Sequence, residues 1–300
     1  FSRVLFRSLP TAQLPYAFDQ MSGTIYPSAA SFGIQQATNM VFTLRRQTRL
    51  DTLFQPLPGM ESPLVQNDDD SEEEDIVYVS YQKQANSAEF VPVLRTRRVR
   101  RPVWNGWNAS YGTYDNGVNN GGRFGGAGNM TSIYRNISGG LKFGLFGAYN
   151  HARLEQGFPV QSVSVDDGQF GSYLRADVSE AYFLSVSSFG IDSYQGRREI
   201  QFGAINRLAN SSYDGTQFTQ YFEAGAKVLE WPFDMEPFLG LQYTRVNQDS
   251  FTETGADALN LNVNGITADG LETLFGTHLA TDVGSVRPEI RAIWIHEFMS

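Results

Sequence analysis

The sequence predicts an all-β protein: a transmembrane antiparallel up-and-down β-barrel, preceded by one N-terminal pore helix. Three observations support it. From residue 102 to residue 300, apolar and polar side chains alternate with period two, the signature of a sheet with one apolar and one polar face. Several of these runs exceed the five or six residues usual in soluble sheets and reach the ~9–11 residues that cross a bilayer with tilt. The polar face carries Gly, Asn, Gln, Tyr, Ser and isolated charges, whereas a solvent-facing sheet is dense in Lys, Glu and Thr. No helical segment interrupts the strands, which excludes a parallel α/β sheet. On pattern alone a soluble lectin-like β-sandwich stays open beside the barrel, and the barrel is preferred.

Composition closes other routes. The 300 residues hold 23 basic and 32 acidic side chains, a net charge of −9, which argues against a nucleic-acid partner. There is no Cys, so disulfide scaffolds, Cys-ligated zinc and Cys nucleophiles are excluded. Charged residues make up only 18% and aromatics 13%, enough rings to bury or display a large apolar surface. No run approaches the ~18–20 apolar residues of a membrane-spanning helix.

Residues 1–58 contain the helix, expected at about 28–50. Ala29, Ala30, Phe32, Ala37, Met40, Val41 and Leu44 recur at three- and four-residue spacing, and Pro27 marks a plausible start. Arg45, Arg46 and Arg49 lie in its last turns, where cations favour the negative end of the helix dipole. Residues 59–101 read as a charged linker. Seven carboxylates fall within positions 67–75 and five arginines within 95–101, with one short hairpin expected at 76–81 and 90–94. Residues 102–300 supply nine candidate strands. Turns are expected at Asp115-Asn116-Gly117, Gly139-Gly140 and Asp166-Asp167-Gly168, and a loop at Gly121 to Gly126.

Alternation assigns the faces. Leu141, Phe143, Leu145, Leu239, Leu241 and Ile290 are expected to face lipid. Lys142, Arg175, Glu223, Lys227, Gln242, Glu289 and Arg291 are expected to face the lumen, where Arg45, Arg46 and Arg49 would meet its carboxylates. Trp104, Trp107, Trp231 and Trp294 sit near strand ends, as interface aromatics would.

The residues also resemble a known family. Ser212-Tyr213-Asp214-Gly215, followed by Tyr221-Phe222-Glu223-Ala224-Gly225, is similar to a strand of the autotransporter (type V secretion) translocator domain. The likeness continues through Glu236-Pro237-Phe238-Leu239-Gly240-Leu241 and ends in Trp294-Ile295-His296-Glu297-Phe298. Upstream, Phe18 to Tyr26 and the helix after it are similar to the segment that precedes that barrel. The resemblance implies a bacterial outer-membrane barrel of twelve strands, with the helix in its pore joining an upstream passenger. It implies export of that passenger to the cell surface, in contact with outer-membrane lipid and with help from the barrel assembly machinery. Two departures stand out. About 50 residues separate the helix from the first strand, and the ninth strand is the last. The expectation is therefore an incomplete, C-shaped sheet. A diffusion pore or ligand-binding barrel, with the first 100 residues outside it, is the rival reading.

No catalytic or cofactor motif emerges. The three His residues are far apart, and no closely spaced metal-ligand motif or calcium loop occurs. His296-Glu297 are strand neighbours and point to opposite faces. Neither an enzyme nor a bound metal is expected.

Overall fold

In the computed structural model, the described residues are 9–53, 73–83, 90–100, 104–118, 122–138, 140–228, 234–281 and 288–299. Nine strands form one antiparallel sheet. They are β3 (Asn105–Val118), β4 (Gly122–Ser138), β5 (Leu141–Gln156), β6 (Gln161–Val178), β7 (Ala181–Phe202), β8 (Ile205–Ala226), β9 (Asp234–Gln248), β12 (Ile266–Ala280) and β13 (Glu289–Met299). Each pairs with the strands before and after it, in the order β13-β12-β9-β8-β7-β6-β5-β4-β3. The sheet curls into a half-barrel, and among the described residues β3 and β13 each have one paired neighbour. A hairpin of β1 (Glu73–Lys83) and β2 (Phe90–Arg100) precedes it. A second small pair, β10 (Phe251–Thr252) and β11 (Asn262–Val263), lies between β9 and β12.

The strands run further than the sequence signals. The Gly-rich segment expected as a loop is strand from Gly122 onward. A Cβ at Gly126 would lie 2.8 Å from the Gln36 side chain, so Gly there admits the helix rather than a turn. Asp115-Asn116-Gly117 and Asp166-Asp167-Gly168 likewise lie inside β3 and β6. Pairing on both sides of β6 overrides the turn propensity of 166–168, whereas the β3–β4 register shifts between Asp115 and Val118. β1 begins within the acidic run, and the hairpin is longer than expected in both strands. Its side chains, and all of residues 54–72, lie outside the described residues.

The long helix spans Ile25–Leu53, wider than the expected 28–50, after a short helix at Leu14–Met21. Its start is fixed by the Ile25 N–H, which donates to Gln161 Oε1 at 3.3 Å. Ile25, Ala29, Phe32, Ala37, Met40, Val41 and Leu44 are buried against the concave face, and so are the polar Gln36, Thr38, Arg45 and Thr48. A helix buried on most sides suits the inside of a curved sheet. Its exposed positions, Pro27, Ser31, Gln35 and Arg46, form one stripe. No helix among the described residues is long and apolar enough to cross a membrane, which says nothing of strands.

Candidate functional site: the helix-filled concave face

Three tyrosines prepare the floor on which the helix lies. Tyr173, Tyr182 and Tyr221 are buried, and their rings cover Gly144, Gly225 and Gly240 of neighbouring strands. Any side chain at those glycines would collide with a ring. The rings therefore lie flat and leave room for Met40, Val41 and Leu44, which pack with Met130, Leu184 and Leu274.

Toward its C-terminal end the helix is held by charge. Arg45 and Glu223 form an ion pair with side chains 5% and 1% exposed. Glu223 also accepts the Tyr182 hydroxyl at 2.6 Å and the Tyr221 hydroxyl. The Arg45 guanidinium lies 3.6 Å from the Phe238 ring centroid, a cation–π contact. Yet Arg45 Nε and Nη2 make no well-aligned hydrogen bond, so this end depends on proximity of charge more than on directed bonds. One turn of polar contacts sits midway: Thr38 Oγ1 donates to Glu272 at 2.9 Å and accepts from Gln242 Nε2 at 2.8 Å.

The N-terminal end is tied by a second buried arginine, Arg198 of β7. Its side chain and that of its partner Glu253 are both 0% exposed. Arg198 Nε donates to Glu253 Oε1 at 3.0 Å and Nη2 to Oε2 at 2.5 Å, a fork-to-fork pair. Nη1 reaches the Gln20 carbonyl at 2.9 Å and Nη2 the Leu259 carbonyl at 3.0 Å. Tyr26 of the helix donates to Glu253 Oε1 at 2.6 Å. Burial and that carboxylate acceptor push the Tyr26 phenol above its ordinary range. One guanidinium thus joins β7, the segment between β9 and β12, and the entrance to the helix. Ala17 of the short helix packs beside it with Ile200, Phe202, Ala209 and Ala256.

Sequence reasoning missed this cluster, because Arg198 and Glu253 are 55 positions apart. The available signal was parity, since Arg198 falls on the same face as Leu184, Val186 and Tyr194.

The other named residues separate by face. Lys142, Arg175, Glu223 and Gln242 are buried on the concave side. Lys142 lies over the Tyr134 ring, and Arg175 pairs with Asp177 at 2.7 Å and lies over Tyr182. Lys227, just past β8, pairs with Asp234 at the start of β9. Glu289 meets Arg291 and His278. Arg46 is exposed, so of the helix arginines described only Arg45 meets a luminal carboxylate. The side chain of Arg49 and all of Trp231 lie outside the described residues. Leu145, Leu239, Leu241 and Ile290 are exposed on the convex face, while Leu141 and Phe143 are half-buried there.

Trp104 and Trp294 are exposed, but Trp107 is corrected. It points inward and its indole N–H donates to the Tyr173 hydroxyl at 3.4 Å, because the odd positions of β3 face the helix.

The convex face carries a band. Its outer positions hold no charge over 141–149 in β5, 170–178 in β6, 183–191 in β7, 235–243 in β9 and 271–279 in β12. Each window is about nine residues, close to the ~9–11 that cross a bilayer. Past one edge of the band come charges: His151, Arg153 and Glu155 on β5, Asp166 on β6, Arg197 and Glu199 on β7. Tyr149 and Tyr243 mark that edge, donating to Asp166 at 2.5 Å and Asp269 at 2.6 Å. No group of three or more His, Asp or Glu side chains is placed to hold a metal among the described residues.

Such a fold defines a class of protein: a β-barrel wall with an outer belt free of charge on five strands and a helix along its inner face. The model of the autotransporter beta-domain family matches residues 103–300, and the chain belongs to that family. It is accordingly an outer-membrane translocator domain that exports a passenger. Its fold is similar to the translocator domain of autotransporter NalP from Neisseria meningitidis, with 20% identity and a TM-score of 0.56. That likeness covers 66% of this chain and 68% of the other. The beta domain of the Bordetella autotransporter BrkA is similar at 16% identity and a TM-score of 0.53, covering 66% and 80%. No curated protein matches the chain by sequence.

Proposed function

We propose that the convex band faces outer-membrane lipid and that the Ile25–Leu53 helix is the pore segment, leading to the passenger. The observation that supports this is the division of faces: apolar Leu239 and Leu241 are exposed outside, while Gln242 between strand neighbours meets Thr38 of the helix. Leu141, Phe143, Leu145 and Ile290 then share the lipid face. Trp104 stands near its boundary, where an amphipathic ring is favoured, whereas Trp294, opposite Phe275, lies at its middle. In hydrocarbon the free edges of β3 and β13 need hydrogen-bond partners, since each unpaired group costs several kcal/mol there. We infer that further strands meet them, and that the barrel assembly machinery is the partner that handles the open sheet. The role is anchorage and passage, with no chemical step assigned to any residue.

The diffusion-pore reading loses ground because the helix fills the concave face. Leu241→Arg should cost ~2–4 kcal/mol of stability in bilayers, as a charge at the lipid-facing midplane does. Insertion with unchanged stability would remove the lipid assignment.

A further inference from the structure

Under the long helix, Asp167 of β6 and Asp192 of β7 stand directly opposite each other in the strand register and line one small cavity. Both are buried, 4% and 2% exposed. They lie just past the uncharged outer windows of their strands, 170–178 and 183–191. Two adjacent carboxylates cut off from water each require a counter-charge or a proton. The buried arginines are engaged elsewhere, Arg45 with Glu223, Arg175 with Asp177 and Arg198 with Glu253. Among the described residues no cation reaches either aspartate.

The donors around the pair are too few for two charges. Gln169 Nε2 donates to Asp167 Oδ2 at 2.7 Å, and the Tyr194 hydroxyl to Asp192 Oδ2 at 3.2 Å. Asp167 Oδ1 receives no donor. The two carboxyl groups are within hydrogen-bonding reach of each other, and two carboxyls bond only when one carries a proton. Asp167 Oδ1 is the atom left to carry it. Burial first, and the charge of Asp192 second, raise the Asp167 carboxyl well above the usual range. The other polar groups facing the pair bring no charge: Gln36 of the helix, Asn150 of β5, Gln217 of β8, and the phenols Tyr194 and Tyr111.

We propose that Asp167 and Asp192 share one proton, and that this site is a pH-sensitive catch for the helix. The helix is the lid over the pair. Ala29, Phe32, Gly33 and Gln36 line its side of the cavity, and of these only Gln36 has a side-chain donor. Gln36 Oε1 accepts from the Asn150 amide at 2.5 Å, and Asn150 is the register neighbour of Asp167. The cavity has room for about one water, too little to hydrate two carboxylates. With the helix lifted, the pair meets water and titrates as ordinary aspartates do, near ~3.9. The seated helix therefore raises the proton affinity of the pair, and by linkage the proton favours the seated helix. Seating is strongest below the ordinary aspartate range, weakens as pH rises until the pair loses its proton, and is level beyond that point.

Infrared spectroscopy and thiol labelling of the full chain refolded in detergent test this. At about pH 7, where ordinary carboxylates are ionised, the unsubstituted chain should show a carboxylic-acid band that Asp167→Asn removes. Asp192→Asn takes away the neighbouring charge, so the band should titrate at a pH lower by about one unit or more. That second variant reads the site even where Asp167→Asn fails to fold. Asp166→Asn, on the opposite face, should leave the band unchanged. For the helix, a cysteine is placed at Ala37, which is 0% exposed, or at exposed Ser31 as the reference for thiol ionisation. The ratio of labelling rates, Ala37→Cys to Ser31→Cys, should rise as pH passes the titration of the band and stay flat when Asp167→Asn is added. No band at about pH 7, or a titration that Asp192→Asn leaves in place, would overturn the shared proton. A labelling ratio that rises equally with and without Asp167→Asn would overturn the catch.

Discussion

The two ends of the pore helix are fastened by the same residue type in different ways. At the Arg198 end, four directed hydrogen bonds hold a guanidinium that is fully buried, and they tie its own strand to two other chain segments. At the Arg45 end, the charge pair lacks aligned bonds, and Glu223 has two tyrosine hydroxyls of its own. Their levels differ too. Glu223 pairs with Leu184 and Gly240, within the uncharged band, whereas Arg198 lies in the part of β7 that continues past it. The lesson is that burial alone does not rank an ion pair. The directed bonds its arginine makes to the rest of the chain do.

That contrast predicts an order of effects. Arg198→Met removes four directed bonds and the charge partner of a Glu253 that keeps only the Tyr26 hydroxyl and Leu261 N–H, so unfolding in detergent should show a loss of about 3–5 kcal/mol. Arg45→Met removes a charge pair without aligned bonds and ties to no third segment, so the loss should be smaller, about 1–3 kcal/mol. Equal losses in the two variants would break the comparison. Thr38→Val removes the mid-helix bonds to Glu272 and Gln242 and should cost about 1 kcal/mol by the same measurement. A larger cost than Arg45→Met would move the main fastening of the helix to its centre.

The sequence already carried the strands and their faces where alternation was undisturbed. Leu239, Leu241 and Gln242 could be assigned to opposite sides by parity alone. The helix was legible from the spacing of Ala29, Ala37, Met40 and Leu44, and Arg45 from its place in the last turns. Other residues were hidden by local chemistry. Asp166-Asp167-Gly168 has turn composition, so a buried Asp167 inside a strand was read as a bend. Gly122 to Gly126 looked like loop because glycine fails to announce that a helix passes over it. Arg198 was invisible because its partner belongs to a segment that folds back between β9 and β12, a contact that no period in the chain encodes. Inward tyrosines such as Tyr173 carried no signal either, since an aromatic near a strand end reads equally well as an interface anchor.

Cysteine pairing across the concave face tests the central claim, that the helix lies along this wall, most directly. The chain has no Cys, so an introduced pair has no competitor. Thr38→Cys combined with Gln242→Cys should be joined by a short bifunctional thiol reagent in the membrane-inserted protein, because the two positions face each other across one side-chain contact. Thr38→Cys with Leu241→Cys should not, since residue 241 points to the other face. Efficient crosslinking of 38 to 242 and none to 241 is the expected result. Crosslinking to 241, or to neither, would show that the helix does not occupy the lumen.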